Sequence, residues 1–305
     1  HRVAGADFFY YSARLEPDAR LTYRFTVDLH EAVNDTLNPR NLRSILYGKA
    51  SWFHMPDWEQ PGHLVNEVTA SGRIDTLKFQ TRFRDGSVDI GVYLPAGYDS
   101  SDARYPVVYF HDSALALRRG ELLRSLDYQV WRTVRPMIVV LMNRFLKTGS
   151  YSQYAGSRRD DYVDAFVDEL IPMVDRSYRT IPTPEMRANV GYGIVSGVMP
   201  LYATFKKPGK VGNVAVTSLL WDTKTDRETS SVIASAKNLP LKIYLGWGKY
   251  DLRSRLEGAD LGKANRRVAE LLTAAGYTYE GGEFKDGYGW GSWKTRTDKV
   301  FGTLF

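Results

Sequence analysis

The chain has no cysteine, which excludes a thiol nucleophile, thiolate-bound zinc or iron–sulfur chemistry, and a disulfide framework. Histidine is scarce and confined to positions 1, 30, 54, 63 and 111, with none beyond. No imidazole is therefore available from the second half of the chain. Long apolar runs are missing too: the longest, Pro136 to Met142, has seven residues against the roughly 20 that a membrane-spanning helix needs. No basic-plus-apolar leader opens the chain at His1, so it reads as a processed or trimmed product. Internal repeats, a D-x-D-x-D-G loop, a histidine pair and the lysine-bearing phosphate loop are all lacking, so no metal and no cofactor is expected.

What is present fits a folded globular protein. The 305 residues are 43% hydrophobic, 13% aromatic and 25% charged, enough for one large or two ordinary domains with a sizeable core. The net charge of +6 is unevenly placed. Between residues 118 and 159, nine cations (Arg118, Arg119, Arg124, Arg132, Arg135, Arg144, Lys147, Arg158 and Arg159) face only Glu121 and Asp127. Such a segment either attracts anionic ligands or forms a solvated helix face. No RNA-binding signature or zinc-finger spacing accompanies it, so no nucleic-acid partner is expected.

Residues 7–15 and 21–29 read as two β-rich strands joined by the turn Glu16-Pro17-Asp18. Two strands are not stable alone, so the rest of the molecule, a partner or an upstream segment must complete them. Pro39, Pro56 and Pro61 interrupt residues 34–66, which read as an extended connector anchored by Trp52, Phe53 and Trp58. From about residue 74, strands alternate with helices. Strands are expected over 76–84, 88–94, 106–110, 137–142, 188–192, 213–217, 241–245 and 277–284. One helix begins at Asp160 and Asp161 and carries an apolar stripe from Val163 to Val174; another carries Ala264 to Ala275 and ends at Gly276. The expected layout is a partial β-rich segment over 1–33, a connector over 34–73 and an α/β unit with a mostly parallel sheet over 74–305. Ligands in such sheets sit at the carboxyl ends of the strands.

Residues 88–112 (VDIGVYLPAGYDSSDARYPVVYFHD), in this order of elements, resemble the opening of the α/β-hydrolase domain of the putative-esterase family, which includes enterochelin esterases and feruloyl esterases. The resemblance continues through FVDELIPMVDRSYRT at 166–180, 246–251 with 265–276, and 287–293; DTLNPR at 35–40 and MPDWEQP at 55–61 look like the link from the N-terminal β domain of the enterochelin type. It implies an α/β-hydrolase fold and a serine carboxylic ester hydrolase.

The catalytic positions depart from that pattern. The nucleophile elbow, G-x-S-x-G, corresponds to RANVGYGIVSG at 187–197, which places Gly193 at the serine and Val195 at the second glycine. Asp251, in GWGKYD, matches the triad acid, and is otherwise a loop or helix cap. Tyr288 stands where the family has histidine; a phenol with a pKa near 10 does not relay a proton at neutral pH as imidazole does. His111 matches the loop that structures the oxyanion side. The oxyanion positions are Ile194 and Ser113, and Ser113 replaces the glycine that commonly follows HD.

These departures lead to the expectation of a catalytically inactive, esterase-like protein that binds either a small anionic, aromatic or glycan ligand, or a protein partner or second copy through its N-terminal β segment. The ligand-contact candidates are Tyr192, Trp290, Trp293, Arg144 and Arg158, the arginines forming one rim of the cleft; Trp221 and Trp247 read as core. The competing expectation is an active ester hydrolase using Ser196 or Ser292. Absence of cysteine and the habit of such esterases lean towards a secreted or periplasmic protein.

Overall fold

The computed structural model describes residues 4–5, 10–27, 31–44, 48–220, 223–236, 238–254 and 259–305. His1, His30, Trp221 and the outer parts of the two N-terminal strands expected from sequence lie outside the described residues.

Fifteen strands are described. The first five are β1 (Arg20–Tyr23), β2 (Phe25–Val27), β3 (Glu31–Val33), β4 (Asn41–Ser44) and β5 (Gly48–His54). Then come β6 (Arg73–Gln80), β7 (Ser87–Leu94), β8 (Val107–His111), β9 (Ile138–Met142), β10 (Arg187–Tyr192) and β11 (Asn213–Thr217). The last are β12 (Lys242–Tyr250), β13 (Arg253–Ser254), β14 (Ala259–Asp260) and β15 (Glu280–Gly287). Eleven of them form one sheet in the order β4-β5-β1-β15-β12-β11-β10-β8-β9-β7-β6, while β2 with β3 and β13 with β14 make small hairpins. The run from β1 to β9 is parallel, and the flanks are antiparallel.

The central strands are continuous apolar runs because both faces are covered. Every residue of β8, β9 and β11 is buried. Alternation decides which layer each one fills: Tyr109 joins Tyr162, Phe166 and Val163 on one face, whereas Val108 and Phe110 join Leu126, Trp290 and Trp293 on the other. The helix beginning near Asp160 runs as an α segment (Arg159–Asp164), a π segment (Ala165–Leu170) and a second α segment (Ile171–Ser177). The wider π turn just ahead of Pro172 accommodates a residue that has no N–H to donate. The helix Leu261–Ala274 is capped by the Asp260 carboxylate, which accepts from the Lys263 N–H at 2.8 Å.

Two expectations need correction, and one open alternative is decided. Residues 10–16 are not a strand. The stretch 34–66 is not merely a connector, because it holds β4, β5 and the short helix Gly62–Val65. Its prolines punctuate these elements rather than interrupting one: Pro39 precedes β4, Pro56 follows β5 and Pro61 caps the helix. The N-terminal β layer is completed from within the chain, since β1 lies between β5 and β15. Its junction with β15 is the pair Arg20 and Asp286.

Strand β12 runs five residues past the expected end at Leu245, through Gly246 and Gly248. Gly248 is there because β15 passes very close: a Cβ on it would stand 2.4 Å from the Asp286 carbonyl oxygen. Gly248→Ala is therefore expected to cost about 1–3 kcal/mol through forced separation of β12 and β15. Urea unfolding should show a lowered midpoint at unchanged slope, and an unaltered midpoint would contradict this contact.

Candidate functional site

At the carboxyl end of β10 the chain turns sharply into the short helix Gly193–Ser196. Gly193 takes φ +83°, a conformation that costs an L-residue roughly 1–2 kcal/mol. Its side-chain direction is already filled. A Cβ built there would stand 2.8 Å from the Tyr288 hydroxyl, which also accepts the Ile194 N–H at 3.4 Å. Tyr288 follows directly on β15, so parallel pairing brings it to the edge where β10 ends. Burial pushes its phenol well above the usual range, with the charges of Asp251 and Asp112 acting in the same direction, so the hydroxyl keeps its proton.

Asp251 closes the loop after β12 and is 8% exposed. Its Oδ2 accepts the Gly248 N–H at 3.0 Å. Burial raises its carboxyl to about 6, against the opposing pull of Arg296. No imidazole stands near it among the described residues: His111 ends β8 inside an aromatic cluster, where Nδ1 lies 2.8 Å from the Tyr162 hydroxyl. Burial drives that imidazole down to about 3, so it is a neutral packing group at physiological pH.

The remaining positions divide between this edge and elsewhere. Asp112, with φ +55°, leads into the helix Ser113–Arg119. Ser113 is buried and its hydroxyl donates to Asn143 Oδ1 at 3.3 Å, which also receives the Ala114 N–H at 2.9 Å. Sequence reasoning missed Asn143; its only signal is that it follows an apolar strand at the ligand-facing end. Tyr192 stacks on Tyr288 with ring centres 5.7 Å apart and accepts the Gly289 N–H at 2.7 Å. Trp290 lies 4.5 Å from Tyr192, and Trp293 packs edge-on to Phe110.

Tyr192 and Trp293 are therefore core residues that back the turn, not exposed ligand contacts. The two arginine candidates differ in their surroundings. Arg144 is exposed near Asp112, whereas Arg158 is taken up by Asp161 and the Phe83 carbonyl oxygen. Trp247, as expected, is buried. Both alternative serines are also buried: Ser196 Oγ donates to the Tyr192 carbonyl oxygen at 3.2 Å, and Ser292 Oγ accepts from Arg20 at 3.4 Å.

A cavity of about 400 Å³ adjoins Tyr288. It lies between the N-terminal strands and the Asp251 loop, lined by Leu21, Tyr23, Tyr250, Leu252 and Tyr288 among others. Among the described residues no group of three histidine or carboxylate side chains is placed to hold a metal ion, and no helix is long and apolar enough to cross a membrane.

No curated protein matches the chain in sequence. Among solved structures, the enterobactin esterase of Shigella flexneri, determined in the presence of enterobactin, superposes with a TM-score of 0.75 at 17% identity, covering 100% of this chain and 83% of that one. A ferulic acid esterase superposes with a TM-score of 0.64 at 16% identity, over 77% of this chain and 98% of that one. The ferulic acid esterase of the anaerobic fungus Anaeromyces mucronatus gives 0.64 at 16% identity, over 78% and 92%. These likenesses establish the α/β-hydrolase type of fold expected from the sequence. The family model described as Putative esterase matches residues 83–302, most of the α/β unit, and the chain belongs to that family.

Proposed function

We propose that this chain is a non-hydrolytic member of its family that binds a small aromatic or anionic molecule instead of cleaving an ester. One observation carries the reading: the Tyr288 hydroxyl occupies the space that a side chain on Gly193 would need and takes the Ile194 amide. In the family's mechanism, the nucleophile and an oxyanion donor would occupy those two places. A glycine offers no nucleophile, and a buried phenol that keeps its proton offers no base. Asp251 is left as a buried carboxyl without the imidazolium that would hold it ionised.

The cavity beside Tyr288 supports the binding half of the reading. Its phenol rings and aliphatic side chains suit an aromatic group, and its volume lies in the range of roughly 300–1,000 Å³ usual for small-molecule sites. The enterobactin esterase has also been determined with 2,3-dihydroxy-N-benzoyl-serine, and a feruloyl esterase module with sinapinate, both aromatic acyl compounds. Recruitment of a partner strand by β1 has less support, because both edges of β1 are paired within the chain. Hydrolysis through Ser196 or Ser292 is disfavoured by the burial and existing hydrogen bonds of both hydroxyls.

Three measurements test this reading. Incubation with a fluorophosphonate probe and with short-chain nitrophenyl esters should give neither stoichiometric labelling nor saturable turnover; either one would overturn it. Gly193→Ser should destabilise the fold by about 1–2 kcal/mol through its backbone alone, and by more while the Tyr288 hydroxyl stays in place. In a double-mutant cycle, Tyr288→Phe should recover part of the loss, and zero coupling would contradict the placement of that hydroxyl. Asp251→Asn tests the carboxyl. Because the folded pKa lies above the unfolded value of about 3.9, no penalty exists below about pH 4, and stability falls as pH rises towards 6. The variant should match wild type near pH 4 and be about 1–3 kcal/mol more stable at pH 7.5, and parallel pH profiles would refute it.

A further inference from the structure

A second cavity, about 340 Å³, opens where β1 and β4 face the helices Ser113–Arg119 and Trp290–Trp293. Tyr288 does not line it. In contrast to the first cavity, its wall is strongly cationic: Arg20, Arg43, Arg118, Arg119 and Lys294 contribute positive charge, and the one acid, Glu121, is paired with Lys294. Three indoles, Trp52, Trp58 and Trp290, complete it.

Arg20 forms the floor of this cavity. It is 3% exposed, yet its side-chain hydrogen bonding among the described residues is one long contact, from Nη1 to Ser292 Oγ at 3.4 Å. The guanidinium lies over Trp52, 4.5 Å from the ring centre, with Trp58 at 5.9 Å. Gly291 leaves it room, since a Cβ there would stand 3.0 Å from Nη2. Asp286, the carboxylate whose charge acts on Arg20, is held in an ion pair by Arg296 at 3.3 Å. A guanidinium carries five donors, and a buried one with few acceptors is costly unless an anion completes it. Its depressed pKa of about 10, caused by burial, expresses that cost.

We propose that this second cavity binds a small aromatic carboxylate, with Arg20 taking the carboxylate from below, Arg43 and Arg118 closing over it, and the ring lying against Trp52, Trp58 and Trp290. The indole walls and the small volume favour a planar single-ring anion over a glycan. The site shares no lining residue with the cavity beside Tyr288, so it stands whether or not the chain hydrolyses esters.

Benzoate titrated into the full chain, followed by tryptophan fluorescence and by calorimetry, tests the proposal. Saturable binding is expected, at least about tenfold weaker for benzamide, which lacks the charge, and weaker as salt is raised. Arg43→Ala with Arg118→Ala, both at exposed rim positions, should weaken benzoate about tenfold or more at an unchanged unfolding midpoint. That pair keeps the test independent of Arg20→Met, which should abolish binding but removes a buried side chain. Failure to saturate by about 10 mM, equal affinity for benzoate and benzamide, or wild-type affinity in the rim variant would each overturn the site. Equal affinity for cyclohexanecarboxylate or inorganic sulfate would overturn its aromatic specificity.

Discussion

Because β8, β10, β11, β12 and β15 run parallel, their carboxyl ends finish on one edge, and Gly193, Asp251 and Tyr288 collect there. The register sets Tyr192 opposite Thr217 and Thr217 opposite Gly246, so the turn at Gly193, the loop at Asp251 and the residue after β15 meet across less than the width of four strands. Loss of the close β12–β15 approach at Gly248 would move Asp251 and Tyr288 together. The fold is that of the esterase family, while the groups met at this edge, a phenol and a buried carboxyl, are ones that burial keeps protonated to higher pH than usual.

The second organising feature is a set of buried charges at the seam between the N-terminal strands and the rest of the sheet. Arg20 stands opposite Asp286 in the one register pair that joins β1 to β15, and the Asp286 carboxylate is ion-paired with Arg296. Ion pairs of this kind add little net stability, since desolvation offsets attraction, but removing one member is severe. They therefore act more as a registration device than as glue. Strand β1 contributes to both cavities, one with phenol and aliphatic side chains beside Arg24, the other cationic and indole-lined.

The sheet was legible in the sequence where strands are covered on both faces, because five consecutive apolar residues, as in β9 or β11, permit few other readings. The N-terminal strands were harder. They are short, partly exposed and bounded by prolines, so β4 and β5 carry no two-residue alternation long enough to detect. Positions 193, 251 and 288 could be located by element order, and the fold brings them to one edge. The posture of Tyr288 could not, since it depends on a backbone angle at Gly193 and on stacking with Tyr192. The basic run misled for a different reason. Its members have different surroundings, Arg118 lining one cavity and Arg158 lying against Asp161. Arg20, which no charge run includes, became visible only through its burial.

The glycine at the elbow has a thermodynamic corollary. An active hydrolase of this architecture stores strain at that residue and must support it with stability drawn from elsewhere. Gly193 keeps the left-handed geometry without a Cβ, so the same turn is relaxed. On the proposed reading, the elbow carries no such strain, which leaves more of the fold's stability for substitutions elsewhere, such as at the two cavities.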